Sequence, residues 1–222
     1  MNDNTSSFAS NIYDGNITSV LPYYKEYHAQ ITDLVKAAGL TSPEWLDTGC
    51  GTGTLALRAL EELPDIRFTL ADPSEQMLCI AREKLAGRDI RYVNVPSDKL
   101  PFKDEFDIVT AIQCHHYYDE GGRREAVQHC FDALHKGGIF VTFENIRMSA
   151  DESDAIAIKR WKQFQLGHGR SPEDVEKHIA RRGTQMFPIT IEQHLALLKE
   201  CGFSTVDILW TSYMQAGFWA IK

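Results

Sequence analysis

The sequence predicts an α/β fold in which an open, mostly parallel sheet is covered by helices on both faces. Short apolar runs of strand length alternate with segments of helical periodicity, and glycine or proline separates most of them. Such alternation with short connections is typical of parallel sheets, because a helix must carry the chain back between successive strands. The chain has 222 residues, of which 43% are hydrophobic, so we expect a single domain with its own core.

The first predicted element is a helix over residues 22–36, which begins at Pro22 and is ended by Gly39. Strand-like runs then alternate with helical segments. The predicted strands lie at residues 45–46, 66–71, 90–95, 106–112 and 139–143, and the predicted helices at 53–63, 74–86 and 123–135. A last helix at 191–201 precedes two strands, 204–209 and 214–221, whose short connection predicts an antiparallel hairpin.

Composition excludes several classes of protein. The net charge of −8 disfavours a general binder of nucleic-acid backbones, which needs a clustered basic surface. The five cysteines are odd in number and form no C-x-x-C pair, so we expect reduced thiols, no disulfide framework and no metal site. No apolar run reaches about 18 residues and the first residues resemble no secretory signal, so we expect a cytoplasmic protein that crosses no membrane.

Changes in pattern divide the single predicted domain, residues 1–222, into four parts. Residues 1–40 form a helical lid, 41–148 a ligand-binding core, 149–188 a helical cap, and 189–222 a helix with a β-hairpin. The cap is distinguished because the strand-like apolar runs stop before it and resume after it.

The strongest motif is WLDTGCGTGTL at residues 45–55, in which a strand runs into Gly49, Gly51 and Gly53 and a helix follows. Glycine suits a turn with positive φ that a ligand must approach closely. The dinucleotide pattern G-x-G-x-x-G is broken by Thr54. Asp47, just before the loop, would repel a pyrophosphate and attract a ligand that carries an ammonium or sulfonium charge.

A second acid lies one strand further on. The stretch FTLADPSEQML, residues 68–78, ends a predicted strand on Asp72, which is placed to accept hydrogen bonds from both hydroxyls of a ribose. Ser74 is the predicted N-cap of the next helix. Met77 fits an adenine pocket and the core about equally well.

Four motifs in order resemble those of class I S-adenosylmethionine-dependent methyltransferases: LDTGCGTG, ADPSEQML, FDIVTAIQCHHYYD and FDALHKGGIFV. The resemblance covers most of residues 12–146. It implies a Rossmann-like fold with a seven-stranded sheet whose last strand is antiparallel, and S-adenosylmethionine (SAM) as cofactor with S-adenosylhomocysteine as product. It places Gly49, Gly51 and Gly53 under the methionine moiety, Asp47 at its amino end and Asp72 at the ribose. The full set of predicted cofactor-binding residues is Tyr13, Asp47, Gly49, Cys50, Gly51, Gly53, Asp72, Pro73, Met77, Ser97 and Gln113.

One segment departs from that family's pattern. Many of its members carry Asp-Ala before a Leu-Pro-Phe segment, and the Asp contacts the adenine amino group. This chain reads VPSDKLPF at residues 95–102, so Pro96 and Ser97 stand at those two positions. Contact with adenine would then come from Ser97 or Asp98.

The segment after the fourth strand carries the predicted chemistry. His115 and His116 would lie beyond the carboxyl end of the sheet, where an imidazole could accept a proton from the nucleophile. Packing or orienting the loop is the alternative for both histidines, and packing is the expected role of Cys114. Tyr13, in the glycine-containing stretch YDGN, is predicted to be a loop residue that covers the cofactor.

Three further segments resemble the carboxy-S-adenosylmethionine synthase branch of the family: LPYYKEYHAQI, KRWKQFQLGHGRSPEDVEKHI and LLKECGFSTVDILWTSYMQAGFWAIK. Those synthases make a carboxylated cofactor from prephenate for modification of the tRNA wobble uridine, and an arginine of the cap holds the added carboxylate. Here Ile179 falls at that place, with Arg181 and Arg182 after it. The missing arginine favours a plain methyltransferase.

Four functions remain as hypotheses. The leading one is a methyltransferase acting on a small-molecule acceptor, without direct nucleic-acid or membrane binding. The others are a carboxy-SAM synthase-like enzyme, a nicotinamide-dependent oxidoreductase, disfavoured by Asp47 and Thr54, and a non-catalytic cofactor-binding module. A homodimer is left open.

Overall fold

A computed structural model of the chain describes residues 8–222. Its sheet has seven strands: β1 (Glu44–Thr48), β2 (Arg67–Ala71), β3 (Ile90–Val93), β4 (Phe106–Ile112), β5 (Leu134–Asn145), β6 (Thr205–Ser212) and β7 (Gln215–Ile221). The strands lie in the order β3-β2-β1-β4-β5-β7-β6. The pairs from β3 to β5 are parallel, and β7 is antiparallel to both β5 and β6. The predicted Rossmann-like sheet with its antiparallel last strand is confirmed.

Eight α-helices accompany the sheet in this part of the chain: α1 (Tyr13–Val20), α2 (Tyr24–Ala37), α3 (Thr54–Glu62), α4 (Glu75–Lys84), α5 (Glu120–Ala133), α6 (Asp151–Gly167), α7 (Pro172–Ile179) and α8 (Ile191–Glu200). Ser74 caps α4 as predicted, because its side chain accepts a hydrogen bond from the Met77 N–H at 3.1 Å.

The sequence prediction is wrong at two places. Residues 10–37 hold two α-helices rather than one, and Tyr13 begins α1 instead of lying in a loop. Gly15 disfavours a helix by about 1 kcal/mol, but packing of α1 outweighs it: Ile17 and Val20 are buried, and Trp161 Nε1 donates to the Val20 carbonyl at 2.7 Å.

The second error concerns α5, which begins and ends earlier than predicted. Asp119 caps its start by accepting a hydrogen bond from the Gly122 N–H at 2.9 Å. Leu134 already pairs with Phe106 in the sheet, so the residues expected at the end of this helix belong to β5.

Apolar side chains cover both faces of the sheet. Trp45 and Leu46 are neighbours in β1, and they belong to different core clusters because successive side chains of a strand point to opposite faces. One cluster contains side chains from α1 to α4 and α6, and the other contains side chains from α5 and α8. The carboxyl ends of β1, β2 and β4 remain uncovered by these layers and lead into the loops that form the site. In residues 8–222, no helix has the length and apolar character that crossing a bilayer requires.

Candidate functional site

The three glycines after β1 have positive φ values of 64°, 54° and 73°, but each serves a different purpose. A Cβ on Gly49 would lie 2.5 Å from the Cβ of Cys114, and one on Gly53 would lie 3.2 Å from the Cβ of Ala81 in α4. A Cβ on Gly51 would meet no atom within 4 Å. Gly49 and Gly53 therefore allow close packing, whereas Gly51 leaves open space beside the loop.

That open space belongs to a cavity of about 310 Å³, the main cleft, at the carboxyl ends of β1, β2 and β4. In open α/β sheets this edge is where ligands bind. The lining residues of the main cleft are Tyr13, Gly49, Gly51, Asp72, Pro73, Met77, Pro96, Ser97, Asp98, Ile112, Gln113, Cys114, Tyr117 and Tyr118. The structure thus brings together eight of the predicted cofactor residues.

Asp72 is held firmly at the edge of the main cleft. One carboxylate oxygen accepts a hydrogen bond from the Gly51 N–H at 2.9 Å, and the other accepts one from the Ser74 N–H at 2.8 Å. The side chain is buried, and these bonds fix the direction of both oxygens. Each carboxylate oxygen can accept more than one hydrogen bond, so the group suits a ligand with paired hydroxyls.

The far end of the main cleft is partly apolar. Pro73, Met77 and Pro96 contribute flat or flexible apolar surface there. Ser97, predicted to meet the ligand, has its hydroxyl 2.8 Å from the Thr48 hydroxyl. Asp98 lines the same space and accepts a hydrogen bond from the Tyr118 hydroxyl at 2.9 Å.

A second, much smaller cavity of about 30 Å³, the loop chamber, lies beside the glycine loop. Its lining residues are Tyr13, Tyr24, His28, Asp47, Gly49, Cys50, Gly51, Thr52, Thr54, Leu55 and Ile112. Asp47 is buried here and accepts a hydrogen bond from the Thr110 hydroxyl at 2.7 Å. Burial raises the pKa of Asp47 to about 7, and the negative charge of Asp72 adds to the effect. A cation at this position would relieve the cost of the buried carboxylate.

A third cavity, the inner chamber, also measures about 30 Å³ and lies between α1, α6 and the end of β4. Its lining residues are Phe8, Tyr13, Ile17, Val20, Leu21, Gln113, His116, Tyr117, Asn145, Trp161, His178 and Met186. Tyr13, Gln113 and Tyr117 also line the main cleft, so the two spaces meet at these side chains. The Gln113 Nε2 is buried and has no hydrogen-bond partner among residues 8–222.

His116 is oriented by Glu144, a residue that the sequence analysis missed. Its Nδ1 lies 2.8 Å from Glu144 Oε2, and Glu144 also accepts hydrogen bonds from the backbone N–H groups of His115 and His116. Burial alone would raise the pKa of Glu144, but the hydrogen bond and the charge of His116 outweigh it and hold that pKa at about 2. Because the ionised carboxylate accepts from Nδ1–H, Nε2 is the nitrogen that can accept a proton.

His115 lies apart from the three cavities as the described residues define them. Its ring stacks on Phe140 with the centroids 6.3 Å apart, and burial lowers its pKa to about 4. Cys50 and Cys114 line the cavities, but burial raises the pKa of both thiols, so they pack as neutral groups. Gly53 contacts α4 instead of a cavity.

Helix α1 is tied to the glycine loop by a polar network. The Lys84 ammonium lies 2.6 Å from a carboxylate oxygen of Asp14, and it donates to the hydroxyls of Thr52 and Thr54 at 2.8 and 2.9 Å. The Thr52 hydroxyl donates to Asp14 at 2.6 Å. Since Asp14 follows Tyr13 in α1, this network holds in place a side chain that, alone among residues 8–222, lines all three cavities.

The cap arginines discussed above do not line the inner chamber. Arg181 lies over the ring of Tyr117, with its guanidinium carbon 5.7 Å from the ring centroid. Arg182 donates to Asn145 at 2.6 Å and pairs with Asp154 at 3.4 Å. Ile179 lines a more open cavity of about 750 Å³ between the cap and α5 and α8.

That larger cavity offers little to a charged ligand, because its arginines already have partners within the chain. Arg124 pairs with Glu200, Arg147 with Asp151 and Arg182 with Asp154. Arg123 donates to the backbone carbonyls of His115, Tyr118 and Phe187. In residues 8–222, no group of three or more His, Cys, Asp and Glu side chains is placed to hold a metal ion.

Comparison with known proteins agrees with this geometry. Residues 46–138 match the family model of a methyltransferase domain. The carboxy-S-adenosyl-L-methionine synthase of Wolinella succinogenes is 28% identical over 219 residues, covering 95% of this chain and 90% of that protein. Further relatives of the same name are 20–28% identical.

Solved methyltransferases share the fold. A SAM-dependent methyltransferase from Thermotoga maritima superposes with a TM-score of 0.60 at 17% identity, over 96% of this chain and 95% of that one. An O-methyltransferase family protein from Burkholderia thailandensis gives 0.65 at 14% identity, and the match spans 96% of this chain but only 59% of that longer one. Residues 46–138 thus match a methyltransferase domain, and with the motifs, the sheet order and the glycine-loop site the comparisons support a Rossmann-like enzyme that uses SAM.

Proposed function

We propose that the main cleft binds SAM and that the inner chamber receives a small-molecule methyl acceptor. The shape of the loop supports the cofactor assignment, because Gly51 leaves open space and Asp72 presents both oxygens beside it. The eight predicted residues of the main cleft would hold the nucleoside: Tyr13, Gly49, Gly51, Asp72, Pro73, Met77, Ser97 and Gln113. Asp47 and Cys50, in the loop chamber, would face the amino-acid end.

Within this cleft, Asp72 would accept hydrogen bonds from the ribose hydroxyls, and Met77 and Pro73 would pack on the adenine ring. For the adenine amino group we propose Asp98, because the Ser97 hydroxyl is already bonded to Thr48. Gly53 contributes by setting the approach of α3 to α4.

The single observation that carries the acceptor assignment is the contact between the inner chamber and the main cleft. Tyr13, Gln113 and Tyr117 line both cavities. The Gln113 Nε2, which has no partner in the described chain, could donate a hydrogen bond to the molecule that is methylated. The described lining of the inner chamber contains no Asp, Glu, Lys or Arg side chain, which suits an uncharged acceptor. Because the chamber measures only about 30 Å³, α1 would have to move outward before such a molecule could enter.

SAM supplies an electrophilic methyl group when bound, so the chain must orient the acceptor and exclude water. Gln113 and Tyr117 would orient it, and α1 would cover it. His116 Nε2 would take the acceptor proton, with Nδ1–H held by Glu144. His115 is not proposed as the base, because its ring lies against Phe140 away from the inner chamber and burial lowers its pKa to about 4.

The proposal is tested with methyl-labelled SAM and a cell extract separated by size. We expect label in the small-molecule fraction, and we expect His116→Asn to slow transfer by about 10²-fold or more while SAM affinity stays within twofold. Label that appears only in the RNA or protein fraction would contradict a small-molecule acceptor.

A carboxy-SAM synthase-like activity is the second candidate, favoured by the near full-length similarity to proteins of that name. Against it, Ile179 stands at the expected arginine and neither Arg181 nor Arg182 lines the inner chamber. Incubation with SAM and prephenate, followed by mass spectrometry of the nucleoside product, distinguishes the two. A product heavier than SAM by one carboxylate group would favour the synthase-like activity over methyl transfer.

We further propose that residues 1–40 act as lid, 41–148 as cofactor core, 149–188 as cap and 189–222 as the closing helix and hairpin. The acidic composition supports a cytoplasmic enzyme without direct nucleic-acid binding. A homodimer stays a prediction, for which size-exclusion chromatography with light scattering is the direct measurement.

A further inference from the structure

His28 is a buried histidine of α2 that lines the loop chamber together with Asp47. Only 2% of the residue is exposed, and its Nδ1 forms no hydrogen bond within the described chain. A buried polar atom without a partner is costly, so natural proteins rarely keep one unless a ligand or water satisfies it. The sequence motifs gave no role to this residue.

The loop chamber has two chemically distinct kinds of lining group. Asp47 offers carboxylate oxygens, which suit a cation. His28 brings an N–H group and Tyr24 an O–H group, whereas the hydroxyl protons of Thr52 and Thr54 are donated to Asp14. Thr54 also begins α3, whose amino-terminal end favours an anion. An acceptor group and donor groups around one space suit an amino-acid zwitterion.

The imidazole of His28 is neutral at physiological pH. Burial, with the positive charges of Arg58 and Lys84, lowers its pKa to about 3. A neutral imidazole carries one N–H donor, and its ring is kept in place by the ring of Tyr24, whose centroid lies 4.9 Å away.

We propose that His28 donates a hydrogen bond to the carboxylate at the amino-acid end of SAM, while Asp47 meets the ammonium. This inference rests on the proposed function, because it deepens the cofactor site described above. His28 would then set the preference of the enzyme for a cofactor that retains its carboxylate.

The test compares two ligands that differ only in that group, SAM and decarboxylated SAM, by titration calorimetry. We expect His28→Leu to weaken SAM binding on the order of ten- to a hundredfold and to leave decarboxylated SAM within about twofold. His28→Gln retains an N–H donor and should recover part of the loss.

His194 provides a matched control. It is also buried, its Nε2 has no partner within residues 8–222, and it stacks on Phe218 with the ring centroids 4.7 Å apart, but it lines none of the three cavities. His194→Leu should therefore leave the ratio of the two affinities unchanged.

Equal weakening of both ligands in His28→Leu, or no change in either, would overturn the role of His28 while leaving the cofactor site intact. If His28→Leu does not fold, the same comparison is made with His28→Phe, which keeps an aromatic ring beside Tyr24 but has no N–H donor. A wild-type protein that binds neither ligand would instead show that the cofactor assignment itself is wrong, and this inference with it.

Discussion

Asp47 makes the folded chain less stable as the pH rises. Its pKa of about 7 lies well above the ordinary value, so the folded state binds a proton that the unfolded state has already released. Between about pH 4 and pH 7 this difference lowers the free energy of unfolding. The same desolvated carboxylate is the group that the amino-acid end of a cationic cofactor would neutralise.

Replacing Asp47 by Asn should therefore separate stability from binding. We expect Asp47→Asn to stabilise the ligand-free protein on the order of 1–3 kcal/mol at pH 8, with little gain at pH 4, because the amide keeps the Thr110 hydrogen bond without the charge. SAM affinity should fall. Urea denaturation at the two pH values measures the first effect, and a gain that does not depend on pH would contradict the account.

At the residue scale, short motifs predict only those site residues that lie together in one loop of the sequence. Asp72 and the glycines follow from the spacing of strand and turn. Glu144 does not, because it meets His116 through the pairing of β4 with β5, 28 residues apart. His28 does not either, since its position depends on how α2 packs over the loop.

Among the elements, α1 owes its helical structure to contacts with neighbouring parts of the chain. Its sequence includes Gly15, and the loop expected there becomes a helix through contacts with α6 and the network of Asp14, Lys84 and Thr52. Burial alone would raise the pKa of Asp14, but hydrogen bonds from Lys84 and Thr52 outweigh it and lower that pKa, so the carboxylate is ionised at neutral pH. The Lys84 side chain is only 18% exposed, which shields the pair better than a surface ion pair.

Loss of this network should loosen α1 over the site. We expect Lys84→Met to raise amide exchange in residues 13–20 about fivefold, which corresponds to roughly 1 kcal/mol, as followed by hydrogen–deuterium exchange. Lys36→Met is the control, because Lys36 pairs with Glu62 at 2.6 Å between α2 and α3 and both side chains are more than 40% exposed. Equal effects of the two variants would show that α1 is held by apolar packing alone.

The whole molecule carries several buried histidines with lowered pKa values. Burial lowers the pKa of His28 and His178 to about 3, and that of His115 and His194 to about 4. The unfolded chain binds protons at these groups from about pH 6.5 downward, whereas the folded chain does not. Their contribution to stability is thus present above pH 6.5 and is lost as the pH falls.

Acid should destabilise this protein steeply. Below pH 6.5, each of the four histidines lowers the free energy of unfolding by up to about 1.4 kcal/mol for every pH unit. Together they outweigh Asp47, which raises the free energy of unfolding as the pH falls. Urea midpoints at pH 7, 6 and 5 measure it, and His178→Gln should reduce the slope. A midpoint that stays constant from pH 7 to pH 5 would contradict these buried neutral states.

At the scale of the fold, alternation of strand and helix patterns predicts the parallel sheet, because a helix must carry the chain back between successive strands. The pattern also predicts the antiparallel hairpin of the last two strands, and the seven-stranded sheet with an antiparallel last strand came from resemblance to a family. The order of the strands was not predicted. The inner chamber could not be predicted, since it forms where α1, α6 and the end of β4 meet, and no local pattern encodes that contact.

The central claim is that Asp72 and the glycine loop bind SAM, and calorimetric titration of wild type, Asp72→Ala and Asp72→Asn tests it most directly. The account predicts that wild type binds SAM and that both variants bind it on the order of ten- to a hundredfold more weakly, since hydrogen bonds to the ribose are lost or weakened. Unchanged affinity in both variants, or a wild-type protein that binds nicotinamide dinucleotides instead of SAM, would contradict it.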